Sequence, residues 1–203
     1  MLSESAQWDE NVDLPPAGQV RYCALAAPGL RPAKLFTNLG QTLDWRQLPV
    51  RMFGRSIPQP RLTDFRADPG VGYRYSGLSL EARPWTDDLA LIRQIVERRT
   101  GCCFNSVLCN FYRDGRDYMG WHADNEPELG PEPVIASVSF GAQRRFVLKP
   151  RTGGPERVEF ELESGSLLLM CGDVQEHWLH QLPRAMRVSE ARINLTFRKI
   201  LNP

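Results

Sequence analysis

The chain has 203 residues, a length that suits one domain, and its 42% hydrophobic content can fill a substantial core. Lys+Arg 25 against Asp+Glu 24 leaves a net charge of +1, so no global basic charge demands a nucleic-acid partner. Only Lys34, Lys149 and Lys199 are lysines, so the basic residues are nearly all Arg. A forked guanidinium suits carboxylates and phosphates; a G+C-rich genome explains the bias equally well. The five cysteines, Cys23, Cys102, Cys103, Cys109 and Cys171, are odd in number and lack C-x-x-C spacing, which reads as reduced thiols in a cytoplasmic protein. The opening MLSESAQWDENVDLPP is unlike a secretion signal, and no run approaches the ~20 apolar residues of a membrane span.

Residues 1–20, polar with Pro15-Pro16, read as a loose N-terminal arm. Leu35, Leu39 and Leu43 recur at helical spacing within 31–45. Pro58 and Pro60 point to loop or edge structure. A second helix has Thr86 as its cap, Asp87 and Asp88 in its first turn, an apolar face of Leu89, Ile92 and Val96, and Gly101 as its stop. From about 104 the pattern turns to short strands, at 106–112, 134–140, 144–149, 157–162, 166–171 and 192–197. Turn signals separate them, including Asp114-Gly115, Gly153-Gly154 and Gly165. Two helices followed by six strands predict an α+β domain, a barrel or sandwich with the helices packed on one sheet.

Only three histidines occur: His122, His177 and His180. In GWHADNEP, His122 precedes Asp124 by two residues, so in extended chain both side chains point to one side. A third ligand from a distant strand would complete two imidazoles and one carboxylate, a set that suits iron(II) because it leaves the opposite face open. Taken alone, His-x-Asp is a weak signal that fits a surface pair with no metal better. His177 and His180 compete for the third position, and spacing does not choose between them. Near the end of the chain, Arg192, Asn194, Thr196 and Arg198 alternate with Ile193, Leu195 and Phe197, which puts four polar residues on one strand face. Two Arg on a buried face need an anion, because an uncompensated buried charge is costly. A dicarboxylate would supply one; a solvated face on an edge strand is the alternative.

The stretches NSVLCNFYRDGRDYMGWHADNEPELGPEPVIASVSFGAQRRFVL, GSLLLMCGDVQEHWLHQLP and RINLTFRKI resemble, in order and spacing, the AlkB family of iron(II)/2-oxoglutarate dioxygenases, which dealkylate nucleic-acid bases. The upstream segments VRMFGR and GYRYSGLSL match the branch that acts on DNA and RNA. The resemblance implies a double-stranded β-helix (jelly-roll) core at 104–200, a nucleotide-recognition lid at 46–85, and a single domain over 1–203. It implies His122, Asp124 and His180 as iron ligands and 2-oxoglutarate and O2 as cosubstrates. Arg198 would pair with the distal carboxylate of 2-oxoglutarate and Arg192 would sit nearer the metal, with Asn110, Tyr112 and Asn194 in support. On the substrate side it implies Tyr73, Tyr75 and Ser76 as a lid stacking on an extruded base, and Val50, Met52 and Phe53 as an apolar finger. Arg61 would contact nucleic acid near the lesion and Glu126 would lie near the base. Asn125 departs from the Asp that close relatives often carry there. Arg144, Arg145, Lys149 and Arg151 are the best candidates for phosphate contacts; a solvated hairpin explains them equally well.

The activity so implied is oxidative repair of lesions such as N1-methyladenine and N3-methylcytosine in DNA, with RNA a second substrate. Formaldehyde, succinate and CO2 would be released by a monomer with no membrane partner. A hydroxylase of a protein or small molecule, or a silent nucleic-acid-binding module, are the competing readings.

Overall fold

The computed structural model describes residues 7–52, 55–75, 78–80 and 82–201. In chain order the elements are β1 (Glu10–Leu14), β2 (Gly18–Cys23), α1 (Pro32–Thr42), β3 (Pro49–Met52), β4 (Arg55–Pro58), β5 (Leu62–Ala67), β6 (Tyr73–Tyr75) and β7 (Leu78–Leu80). There follow α2 (Asp87–Thr100), β8 (Ser106–Tyr112), β9 (Met119–His122), β10 (Ile135–Gly141), β11 (Arg144–Pro150), β12 (Val158–Leu162), β13 (Leu167–Cys171), α3 (Val174–His177), β14 (Trp178–Leu182) and β15 (Arg192–Arg198).

Strands β8 to β15 form the jelly roll. The larger sheet runs β1-β2-β13-β10-β15-β8-β5 and the smaller one β12-β11-β14-β9. From β8 onward, successive strands fall on the two sheets in the pattern of two interleaved Greek keys. One apolar cluster fills the space between the sheets, with Leu108, Ile135, Leu148, Phe160, Leu168 and Trp178 among its members. A second joins the larger sheet to the helices through Leu39, Leu89, Ile92, Val107, Ile193 and Phe197. Strand β15 is therefore covered on both faces, and all seven of its residues are buried.

The helices form for the reasons their sequences give. The hydroxyl of Thr86 accepts the Leu89 N–H at 3.3 Å, Asp87 and Asp88 face the positive end of α2, and Gly101 closes it at φ 72°. A side chain at that φ would be strained, so glycine is the natural stop. In α1, Pro32 starts the helix, and Leu35 and Leu39, with Leu43 just past its end, join the second cluster.

The N-terminal arm is a correction. Residues 10–14 and 18–23 form an antiparallel hairpin whose second strand pairs with β13. Leu14, Val20 and Tyr22 are buried, so apolar burial orders a segment whose polar composition suggested a loose one. The expected lid is also divided. Its centre, β5, is the edge of the larger sheet, while β3–β4 and β6–β7 are separate two-stranded sheets. Among the described residues, no helix is long and apolar enough to cross a membrane.

Candidate active site

His122 ends β9 and His180 sits at the centre of β14, and the two are direct partners across the antiparallel pair. Cross-strand partners share a face, so both imidazoles point between the sheets, with ring centroids 4.2 Å apart. Asp124 follows His122 by two residues in the loop leaving β9. One ligand atom from each of His122, Asp124 and His180 lies within 4.8 Å of the others. His177 is elsewhere: it is half-buried and faces Asp173 at 3.4 Å, in the single turn α3. His180, not His177, is thus the histidine brought to His122 and Asp124, because β14 lies beside β9 and the α3 turn does not.

The surroundings of the three residues suit a divalent cation. His122 Nδ1 is 2.8 Å from the Gly120 carbonyl, which can only accept, so the proton sits on Nδ1 and the Nε2 lone pair is free. That Nε2 is 4.0 Å from Asp124 Oδ1. Asp124 Oδ1 is buried with no hydrogen-bond partner, while Oδ2 accepts from Arg198 Nη2 at 2.8 Å. The Nδ1 of His180 is likewise buried without a partner. Burial pushes His180 down to about 3, and it also lowers His122 against the pull of Asp124, so both rings are neutral near pH 7. Burial alone would raise Asp124, but the charge and hydrogen bond of the neighbouring Arg198 guanidinium hold it down at about 2. Two neutral imidazoles and a carboxylate with one bare oxygen form a donor set that iron(II) can take, with the facing side left open.

A cavity runs from these ligands toward Tyr112 and is lined by the polar face of β15. Register explains the lining. Arg192 is paired with Tyr112, Asn194 with Asn110, and Arg198 with Ser106, so the alternate residues of β8 and β15 share one face. Asn110 is a hub: its amide oxygen accepts from Arg61 Nε at 2.7 Å, and its nitrogen is 3.5 Å from Asn194 Oδ1. Asn194 donates to Ser137 at 2.8 Å, and Thr196 donates to Asn194 at 3.0 Å. Tyr112 and Arg192 close the far end. The Arg192 guanidinium lies 5.3 Å from the centre of the Tyr112 ring and donates to Ser139 at 3.0 Å.

The order of the two guanidiniums is the reverse of the one the resemblance implied. Arg198 is at the metal end, bonded to Asp124, and Arg192 is at the far end beside Tyr112. Strand direction decides this: β15 runs from Tyr112 toward the β9 loop, so its last residue reaches the ligands.

Of the substrate-side residues, Arg61 is buried in the cavity wall and bonded to Asn110 and to the Met119 sulfur. Glu126 precedes the turn Pro127–Leu129 and is not among the residues lining the cavity. Val50 and Met52 lie on β3, Tyr73 and Tyr75 on β6. Phe53 and Ser76 lie outside the described residues. Among the expected phosphate contacts, Arg144 is 2% exposed and binds backbone carbonyls, so it cannot serve. Arg145 pairs with Glu159, Arg151 bonds the Gln175 carbonyl, and Lys149 lies 4.4 Å over the exposed Trp121 ring.

Sequence reasoning missed Gln175, whose side-chain oxygen accepts the Asp124 N–H at 2.9 Å and so fixes the ligand loop. It carried no sequence signal. Ser137 and Ser139 were also missed, although two serines at i and i+2 in the apolar run VIASVSF mark one polar face.

An open face of two imidazoles and one carboxylate at one end of a jelly-roll cavity, with a buried guanidinium beside Tyr112 at the other, defines a non-haem iron oxygenase that takes an acidic cosubstrate. Comparison with known proteins agrees. The profile of the 2OG-Fe(II) oxygenase superfamily matches residues 30–198. The rat protein named alpha-ketoglutarate-dependent dioxygenase alkB homolog 3 is 39% identical over 202 residues, 93% of this chain and 67% of its own length. The human DNA oxidative demethylase ALKBH2 is 45% identical over 159 residues, covering 75% of this chain and 61% of its own. A solved structure of OsALKBH1 superimposes with a TM-score of 0.62 at 15% identity, over 94% of this chain and 100% of that one, and shares the fold. The chain belongs to the 2OG-Fe(II) oxygenase superfamily and, within it, to the AlkB family. It is an iron(II)- and 2-oxoglutarate-dependent dioxygenase.

Proposed function

We propose that the chain repairs N-alkylated bases, N1-methyladenine and N3-methylcytosine first among them, in DNA and also in RNA. The observation that carries this reading is the cavity itself: it joins a three-ligand face to a buried guanidinium, in a chain similar to a rat alkB homolog 3 and a human DNA oxidative demethylase. His122, Asp124 and His180 would hold iron(II), with Arg198 fixing the free carboxylate rotamer of Asp124. When bound, iron(II) with 2-oxoglutarate and O2 supplies the oxidation of the alkyl carbon, giving succinate and CO2; a methyl group then leaves as formaldehyde. Arg192 receives the distal carboxylate of 2-oxoglutarate. That role follows from its burial beside neutral groups: among the described residues no carboxylate pairs with it, and burial has pushed it down to about 10. The bonds from Arg61 through Asn110 to Asn194 hold the cavity floor rigid between its two ends.

On the substrate side, the β3–β4 and β6–β7 hairpins, which carry Val50, Met52, Tyr73 and Tyr75, approach the nucleic acid. We place the protein in the cytoplasm as a monomer. The test is mass spectrometry of an oligonucleotide containing one N1-methyladenine, incubated with iron(II) and 2-oxoglutarate in air. Loss of the methyl group with stoichiometric formaldehyde is expected. Conversion of 2-oxoglutarate to succinate with the base untouched would contradict the substrate and favour a protein or small-molecule hydroxylase.

A further inference from the structure

Arg144 has no part in the reading so far, yet it is among the largest fully buried side chains in the protein. It begins β11, on the smaller sheet, opposite the end of the cavity that Tyr112 and Arg192 close from the larger one. Its Nη2 donates to the carbonyls of Pro183 at 2.7 Å and Asp117 at 2.9 Å, and its Nη1 to that of Asp114 at 3.3 Å. Its Nε has no partner. The nearby carboxylates are engaged elsewhere: Asp117 binds Arg113 at 2.8 Å and Asp114 binds Arg116 at 2.6 Å. Among the described residues, Arg144 therefore has neutral partners only.

The Arg144 guanidinium lies 5.9 Å from the centre of the Tyr112 ring, and Arg192 lies 5.3 Å from the same ring. Two buried cations thus share one phenol and repel each other with little water between to screen them. Burial lowers both, and Arg144 contributes to the lowering of Arg192. Such a pair is costly to a protein that only needs to fold. The same three carbonyls belong to two loops that are locked together: Gly115 accepts from Ala185 at 2.8 Å and donates to Val188 at 2.8 Å. A Cβ at Gly115 would lie 1.8 Å from the Ala185 oxygen, so this back wall leaves no room for a side chain.

We propose that Arg144 is a positioning residue for the cosubstrate: it ties down the back wall of the cavity, fixes the Tyr112 ring, and adds a second positive charge behind Arg192, so that the far end selects a carboxylate. Arg144 does not touch the ligand. The two cations are compensated only when a dicarboxylate reaches the far end.

The inference rests on the reading that this cavity takes 2-oxoglutarate, and the experiment separates the two. Isothermal titration of the manganese(II)-loaded protein compares 2-oxoglutarate with 2-oxovalerate, which offers the same keto acid to the metal but no distal carboxylate. Wild type should bind 2-oxoglutarate far more tightly; equal affinity for the two ligands would sink the 2-oxoglutarate reading itself. Arg144→Met should weaken 2-oxoglutarate by about tenfold or more and leave 2-oxovalerate unchanged. Arg144→Lys keeps the charge but cannot span all three carbonyls, and should weaken 2-oxoglutarate by about threefold. If Arg144→Met does not fold, the Lys variant decides through the same ratio of affinities. An unchanged ratio, or a parallel loss of both ligands, would overturn the role of Arg144 and leave the reading of the cavity intact.

Discussion

The two ends of the cavity hold the same side chain in opposite electrostatic states. Arg198 and Arg192 lie six residues apart on one face of β15, both nearly sealed from water. Arg198 is bonded to the Asp124 carboxylate, so the metal end is balanced within the protein. Arg192 meets a hydroxyl, a phenol ring and the field of Arg144, so the far end carries excess positive charge. A buried charge that the fold leaves uncompensated points to a ligand, whereas one that the fold compensates points to the arrangement of other side chains.

The largest effect expected is at the metal end. Asp124→Ala should abolish formaldehyde release and manganese(II) binding, and leave the buried Arg198 without the carboxylate it bonds, at a cost of about 3 kcal/mol by urea denaturation. Stoichiometric metal binding in that variant would remove Asp124 from the ligand set. The two arginines should then separate in sign. Arg198→Met should destabilise the ligand-free protein by about 3 kcal/mol, because it strands the Asp124 carboxylate. Arg192→Met should leave ligand-free stability unchanged or raise it by about 1 kcal/mol, while weakening 2-oxoglutarate about 100-fold. Equal destabilisation by both substitutions would erase the contrast.

Smaller effects sharpen it. Gln175→Leu frees the Asp124 loop and should weaken metal binding about tenfold, with little change in ligand-free stability at the far end; an unaltered metal affinity would leave Gln175 without a role. The ligand-free protein should also lose stability in mild acid. His180 is neutral in the fold to about 3, whereas the unfolded chain takes up its proton near 6.5. The unfolded state therefore binds more protons below that point, and stability falls by about 1.5 kcal/mol for this histidine between pH 6.5 and 5. Asp124, held at about 2, adds a loss only below about pH 4. Denaturation midpoints compared at the two pH values check this, and a His180→Gln variant should be flatter than wild type. The same slope in both would mean that His180 is not neutral in the fold.

What could be read from the sequence follows from how local each signal is. Thr86, the paired aspartates and Gly101 mark both ends of α2 because caps act within a few residues. The alternation from Arg192 to Arg198 gave the polar face of β15 because a strand has period two. Strands β9 and β14, which carry the two imidazoles, were not legible, since MGWH and WLHQL are short and mixed in polarity. The hairpin β1–β2 was hidden by its Asn, Asp and Pro, although Val20 and Tyr22 alternate correctly. Which arginine bonds Asp124 depends on strand direction in the assembled sheet. The contacts of Arg144 and Gln175 join segments distant in sequence, where no spacing rule reaches.

The most direct test of the account is a crystal structure with manganese(II) and 2-oxoglutarate bound. The account requires the ion on His122, Asp124 and His180, with the keto acid end of 2-oxoglutarate toward it and the distal carboxylate against Arg192. A distal carboxylate resting on Arg198, or an ion held elsewhere, would contradict it.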